Sequence, residues 1–343
     1  MSTRKTRLGI MGFGEIGRQL YHLAAESNEF EVVAIADIGK PEILHYLLST
    51  ASIQSPDVTL EGNYLRNPRF KTRMMRTDRP SESIWDLFET DLVIDATGKF
   101  DTRPAMQDHL DNGAGRVLIS TLPADGIDRL IVPGINDASA RADDRMLTAG
   151  SATTGALGLL LKVLSDRFEI ESASMTSVHA YTSDQPVQDY AGKDFRRSRS
   201  AASNIIPNTV KSIPWVERLL PSLAGKLSGH ALNVPVQKGS MMDLNLVLKD
   251  ETVTAEDVNN VVLEARAANA GRLDVATDPI VSSDVIGNRS SVLFDLKGTL
   301  KGGRKMVKTL CWYESLGHAC RLLDVARLYS AVDTAGGEHA RSN

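Results

Sequence analysis

The chain is poor in cysteine. Cys311 and Cys320 are its only two among 343 residues, too few for a disulfide framework and, alone, for a four-thiolate zinc site. No metal site is expected. It lacks an excess of either charge as well: 39 Lys and Arg stand against 43 Asp and Glu, a net charge of −4. A dedicated nucleic-acid binder usually shows a strong basic excess, so nucleic acid is not an expected partner. No apolar run approaches the roughly 18 residues that span a bilayer; Gly155 to Leu161 stops at Lys162. The basic start, Met1 to Arg7, leads into a glycine-rich turn and not into a signal-peptide core. Internal repeats and low-complexity linkers are missing too. What remains is 42% hydrophobic and 24% charged, the composition of a soluble, cytoplasmic protein of about two domains with no membrane contact.

The first part reads as strand, turn, helix, strand. Arg7 to Ile10 is a short apolar run, Gly12-Phe13-Gly14-Glu15-Ile16-Gly17 follows it, and Ile16, Leu20 and Leu23 recur at helical spacing. Glu31 to Asp37 is a β-branched run ending on a carboxylate. Leu92 to Gly98 and Arg116 to Thr121 read as further parallel strands, apolar throughout because both faces are covered. This alternation predicts an α/β chain with a Rossmann-type, doubly wound dinucleotide-binding domain. From about Thr148 the pattern changes. Ser151 to Leu164 reads as a helix. Glu171 to Thr182, Gly239 to Leu248, Ser291 to Leu296 and Met306 to Trp312 read as strands of a mixed sheet in a second, α+β domain. Arg321 to Tyr329 reads as a closing helix, and the small, polar tail from Thr334 is expected to fray. The expected boundaries are 1–150, completed by a helix at about 316–333, and 151–315.

Gly12, Gly14 and Gly17 meet the spacing G-x-G-x-x-G in the strand-to-helix context that gives it meaning. The first glycine makes a tight turn, the second leaves bare backbone where a pyrophosphate approaches, and the third lets helix and strand pack closely. The helix N-terminus adds positive partial charge. Asp37 stands 20 residues after Gly17, where a carboxylate accepts from a ribose 2′-hydroxyl and repels a 2′-phosphate. The reading is NAD in preference to NADP, although Lys40 nearby could tolerate an extra phosphate.

Longer motifs now carry a resemblance. Leu8-Gly-Ile-Met-Gly-Phe-Gly-Glu-Ile-Gly-Arg18, Asp95-Ala-Thr-Gly98 and Val178-His-Ala-Tyr-Thr-Ser-Asp-Gln185 resemble segments of glyceraldehyde-3-phosphate dehydrogenase. Lys193-Asp-Phe-Arg-Arg197, Ser203-Asn-Ile-Ile-Pro207, Gly225-Lys-Leu-Ser-Gly229 and Trp312-Tyr313 continue it in the family's order, through Asp324. The resemblance implies a nucleotide-binding domain, a catalytic domain with a mixed sheet, a C-terminal helix returning to the first domain, and a homotetramer. It places NAD on Gly12, Phe13, Gly14, Glu15, Ile16, Gly17, Asp37, Thr97, Gly98 and Ser120. In this family a cysteine thiolate attacks an aldehyde, a histidine serves as base, hydride passes to the nicotinamide, and phosphate attacks the resulting thioester. The histidine falls on His179.

The cysteine position falls on Ala152, within Ser151-Ala-Thr-Thr154, and a methyl group is no nucleophile. Neither Cys311 nor Cys320 lies in a motif that replaces it, and both read as buried small apolar residues. Further departures converge on the substrate region. The family's phosphate-binding arginine falls on Asn233, which keeps hydrogen bonding but loses the charge and the fork. The Thr-Gly pair of the inorganic-phosphate site reads Val210-Lys211, the loop asparagine and arginine read Met11 and Glu15, and the segment after Tyr313 reads Glu314-Ser315-Leu316. Ser151, Thr153, Thr182, Arg197 and Arg199 are retained as substrate-binding candidates, with Lys211 or Lys238 as new charge for an anionic substrate.

Three readings remain open. The chain is an NAD-dependent oxidoreductase that has abandoned thioester chemistry and uses His179 as acid or base on a small carbonyl or alcohol. Alternatively it is a non-catalytic, NAD-binding regulator, or a cysteine-to-alanine variant of a divergent dehydrogenase made to trap a complex. The several coincident changes favour natural divergence of the site.

Overall fold

The apolar segments of the first part pair side by side in parallel, the arrangement in which a strand is covered on both faces. The computed structural model describes residues 4–51, 57–182 and 185–341. The chain divides into two units, Met1–Ser151 with Ala319–Asn343, and Ala152–His318.

In the first unit, Thr6–Met11 (β1), Glu15–Glu26 (α1), Phe30–Asp37 (β2) and Pro41–Ser49 (α2) open the chain. Thr59–Glu61 (β3), Tyr64–Arg66 (β4), Lys71–Arg76 (β5), Leu92–Asp95 (β6), Arg103–Asp111 (α3), Arg116–Ile119 (β7), Arg129–Leu130 (β8) and Met146–Thr148 (β9) follow. Among the described residues the sheet order is β3-β4-β5-β2-β1-β6-β7-β9-β8. From β5 to β8 all neighbours are parallel; β3 and β4 add an antiparallel edge. The order reverses at β1, with β2 on one side and β6 on the other, and such a switch point opens a ligand crevice at the strands' C-terminal ends. Leu20, Tyr21, Leu23 and Ala24 bury one face of α1, while Met11, Val33, Val93, Trp85, Met106 and Val117 build a core cluster.

Two strands end earlier than the apolar pattern suggests. β6 stops at Asp95, not Gly98, because Asp95 Oδ1 accepts both the backbone N–H of Thr97 (2.9 Å) and its hydroxyl (2.6 Å), turning the chain out of the ladder. β7 stops at Ile119.

The second unit holds Ala152–Ser165 (α4), Ile170–Ala180 (β10), Ile206–Thr209 (β11), Ile213–Leu219 (α5), Leu227–Val234 (β12) and Ser240–Leu248 (β13). Ala255–Ala268 (α6), Leu273–Ala276 (β14), Val292–Lys301 (β15) and Met306–Tyr313 (β16) complete it. The sheet order is β11-β12-β10-β13-β16-β15-β14, and only β10–β12 and β14–β15 are parallel. β13 alternates buried and half-buried residues along its length, the pattern of a strand with one dry face. Strands β11, β12 and β14 escape the sequence reading because Pro207, Gly229-His230 and Asp274 break their apolar alternation.

Ser315–Arg341 (α7) closes the chain, and from Ala319 on it belongs to the first unit. There Tyr329 donates its hydroxyl to Asp144 Oδ2 (2.6 Å), Thr6 donates to Ser330 (3.0 Å), and Arg116 pairs with Asp333. The small, polar tail beyond Thr334 is helical to Arg341. It contains Gly336 and Gly337 but no proline, so no helical N–H is missing.

Candidate active site

The three loop glycines have different steric jobs. Gly12 follows β1 with φ +87°, and a Cβ there would lie 2.8 Å from Thr97 Cγ2 and 2.9 Å from the Thr97 nitrogen. At Gly17 a Cβ would lie 2.1 Å from the Gly12 carbonyl oxygen. These two glycines therefore allow the loop's own packing. At Gly14 nothing lies within 4 Å, so its surface is open, and α1 begins there without a side-chain cap. A helix N-terminus beside bare backbone, with its positive partial charge, is a place for an anionic group such as a pyrophosphate.

Asp37 ties that loop to the turn after β2. Its Oδ2 accepts from the Phe13 N–H (2.6 Å) and its Oδ1 from the Gly39 N–H (2.7 Å). Each carboxylate oxygen keeps a lone pair with which to accept from a ribose hydroxyl. Phe13 is buried edge-on against Tyr21, Glu15 is exposed and Ile16 half-buried. Thr97 is held by Asp95, Gly98 turns with φ +65°, and the backbone N–H of buried Ser120 donates to the Asp95 carbonyl (2.9 Å). Behind them runs a buried relay that sequence reading missed. Trp85 Nε1 donates to His109 Nδ1 (3.0 Å), which obliges His109 Nε2 to donate to Asp95 Oδ2 (3.2 Å). Only the spacing of three distant polar residues carries it, and no local pattern does. The loop, its open glycine and the carboxylate fit a dinucleotide.

The second unit gathers hydroxyls around Tyr313. Its hydroxyl lies 2.5 Å from Ser177 Oγ and 3.1 Å from Thr153 Oγ1, joining the first turn of α4 to β10. Burial pushes the Tyr313 hydroxyl pKa up, partly offset by these hydrogen bonds. Tyr313 belongs to a family motif, but nothing in the sequence signals this bridging role. The His179 ring stands edge-on to it at 6.0 Å. His179 Nδ1 lies 2.7 Å from the Ala180 carbonyl oxygen. A carbonyl only accepts, so Nδ1 carries the proton, and in the neutral ring Nε2 is the basic nitrogen. Asn233 is buried and is His179's register partner across β10 and β12, with its Oδ1 accepting from Asn208 Nδ2 (3.4 Å).

Ala152, half-buried, is the first residue of α4, and Ser151 ends the preceding unit. Thr182 is exposed and donates its N–H to Gln185 Oε1 (3.1 Å). The next two motif residues, Ser183 and Asp184, lie outside the described residues. Arg197 is half-buried, with its backbone N–H on Asp194 (2.9 Å). Arg199 is exposed and paired with Asp189 (2.9 Å). Lys211 is exposed and Lys238 half-buried. Cys311 is buried, and burial raises its thiol pKa, with Asp295 adding to the shift. Cys320 is only half-buried, against expectation, because it follows the buried Ala319 on the flank of α7. Among the described residues no group of three or more His, Cys, Asp or Glu is placed to hold a metal, and no helix is long and apolar enough to cross a membrane.

Residues 6–103 match the family described as glyceraldehyde 3-phosphate dehydrogenase, NAD binding domain, and residues 151–315 the corresponding C-terminal domain. The glyceraldehyde-3-phosphate dehydrogenase of Kitasatospora aureofaciens is 37% identical over 332 residues, 95% of this chain and 99% of the relative. Glyceraldehyde-3-phosphate dehydrogenase 1 of Bacillus subtilis is 38% identical over 327 residues, 93% and 97% of the two chains. That of Borreliella burgdorferi is 35% identical over 331 residues, 94% and 98%. The chain belongs to the glyceraldehyde-3-phosphate dehydrogenase family. The Rossmann fold of the first unit, the mixed sheet of the second and the use of NAD follow from that membership, and glyceraldehyde-3-phosphate dehydrogenase-like oxidoreductases are this chain's kin.

Proposed function

We propose that this family member moves hydride between NAD and a small carbonyl or alcohol substrate without an acyl-enzyme. One observation carries the reading: α4 opens with the methyl group of Ala152, in the position the resemblance gives to the family's cysteine, while His179 keeps a fixed proton on Nδ1. Bound NAD would supply the hydride acceptor. When an alcohol is oxidised, His179 Nε2 takes the hydroxyl proton as the carbon–hydrogen electron pair leaves as hydride; in reduction the same nitrogen returns the proton to the new alkoxide. Ser151, Thr153, Thr182 and Asn233 would orient the oxygen by hydrogen bonding. Arg197, Arg199 and Lys211 are the cations for any anionic group on the substrate.

A non-catalytic reading draws support from Arg199, which the Asp189 carboxylate already engages. Screening alcohols, ketones and phosphorylated sugars for NADH absorbance changes separates the two. Turnover that His179→Ala abolishes supports the oxidoreductase; the absence of any turnover supports the regulator, and turnover that survives the substitution removes His179 from the mechanism.

We further propose a soluble, cytoplasmic homotetramer. Residues 185–205 form neither helix nor strand and leave Val187, Tyr190 and Ile205 exposed and Phe195 95% exposed. Apolar side chains concentrated on one irregular segment suit a surface covered by another copy. A monomeric mass in solution would refute this.

A further inference from the structure

One face of the second unit's sheet carries a row of carboxamides and hydroxyls around a single imidazole. Asn208 on β11, Asn233 on β12, Ser177 and His179 on β10, Ser240 on β13 and Tyr313 on β16 share that face. They do so because register partners, and residues two apart along a strand, point the same way. The hydrogen bonds at one end of the row have a fixed direction. The Thr209 N–H donates to Asn208 Oδ1 (2.9 Å), so Asn208 turns its Nδ2 toward Asn233 Oδ1 (3.4 Å). Asn233 is thereby left with Nδ2 as its second edge, on the strand next to His179. The residue is only 7% exposed, and among the described residues this Nδ2 has no hydrogen-bond partner. A buried amide edge without a partner is costly, and a bound oxygen acceptor removes that cost.

The charge of that acceptor follows from its partners. A carboxamide N–H suits a hydroxyl or carbonyl oxygen. A phosphate dianion brought out of water needs charged donors, which this row does not hold. Arg197, Arg199 and Lys211 lie outside the strands that carry it. Arg199 is engaged by Asp189, and both Arg199 and Lys211 are exposed, where solvent screens their charge. Resting on the oxidoreductase reading above, we propose that the substrate is uncharged and polyhydroxylated, an unphosphorylated aldose, ketose or polyol, with Asn233 Nδ2 donating to one of its oxygens. The reaction stays the one already given: the alcohol loses a hydride to NAD and a proton to His179 Nε2 and becomes the carbonyl, and reduction reverses both transfers.

Steady-state kinetics of the full chain on matched pairs test it: glyceraldehyde with glyceraldehyde 3-phosphate, glycerol with glycerol 3-phosphate, and fructose with fructose 6-phosphate. Butanone and 2-butanol serve as substrates without further hydroxyls. In at least one pair the uncharged member should have a kcat/KM at least about tenfold above its phosphorylated partner and above the plain ketone or alcohol. Asn233→Ala should lower that kcat/KM about tenfold while the NADH Kd stays within about twofold. Asn233→Arg should reverse the preference within the pair. The comparison on the parent chain needs no variant to fold. Equal or better turnover of the phosphorylated member in every pair, no advantage over butanone or 2-butanol, or an undiminished kcat/KM in Asn233→Ala overturns the proposal. Turnover that His179→Ala abolishes leaves the oxidoreductase reading standing in each of those cases. Turnover of none of these compounds overturns both.

Discussion

His179 and Asn233 are register partners on the parallel strands β10 and β12, so the imidazole and the carboxamide project from the same face of the sheet. Where the family resemblance calls for an arginine, the histidine's neighbour is neutral. A charge-assisted hydrogen bond contributes about 1.5–3 kcal/mol, so its loss costs roughly one to two decades of affinity for a phosphorylated ligand. Asn233→Arg should recover that much affinity for glyceraldehyde 3-phosphate, read by calorimetry with NAD present. An unchanged affinity would separate Asn233 from substrate binding.

Gly14 and Gly17 should respond differently to one added methyl group. Gly17→Ala drives a Cβ into the Gly12 carbonyl and should destabilise the fold by ~2 kcal/mol or more. Gly14→Ala meets nothing in the protein, so its urea midpoint should match the parent while NADH binding falls at least about tenfold. Undiminished NADH binding in Gly14→Ala would place the pyrophosphate elsewhere.

Asp144 anchors α7 through Tyr329 and also pairs with Arg129. Burial opposes its ionisation, yet hydrogen bonds from Arg129, Tyr329 and the Arg141 N–H outweigh that and hold its pKa below the ordinary carboxylate range. A depressed folded-state pKa contributes stability that is complete above the unfolded value of about 4 and is lost as pH falls through the folded value. Asp144→Asn should therefore cost about 2–3 kcal/mol at pH 7, and the gap from the parent should narrow below about pH 4. Urea midpoints across that range check it; a pH-independent gap would contradict it.

Much of the first unit was legible because its signals are local. A β-branched run, three spaced glycines and a carboxylate at a fixed distance specify β1, α1, β2 and their ligand turn without knowledge of the rest. The second unit was less legible. Strands β11 and β12, interrupted by Pro207 and Gly229, show no period of two; β12 pairs with β10 and β11 with β12, both across segments distant in the chain. The Tyr313–Ser177–Thr153 cluster joins residues distant in the chain, and so does the Trp85–His109–Asp95 relay. Folding alone brings such polar atoms together.

The proposed reaction proceeds without sulfur at position 152, where the chain has alanine. Intact-mass measurement after incubation with NAD and glyceraldehyde 3-phosphate, phosphate being withheld, tests this directly, with Ala152→Cys as the positive control. The parent chain should keep its unmodified mass while the cysteine variant gains an acyl group. An acyl adduct on the parent chain would contradict the account.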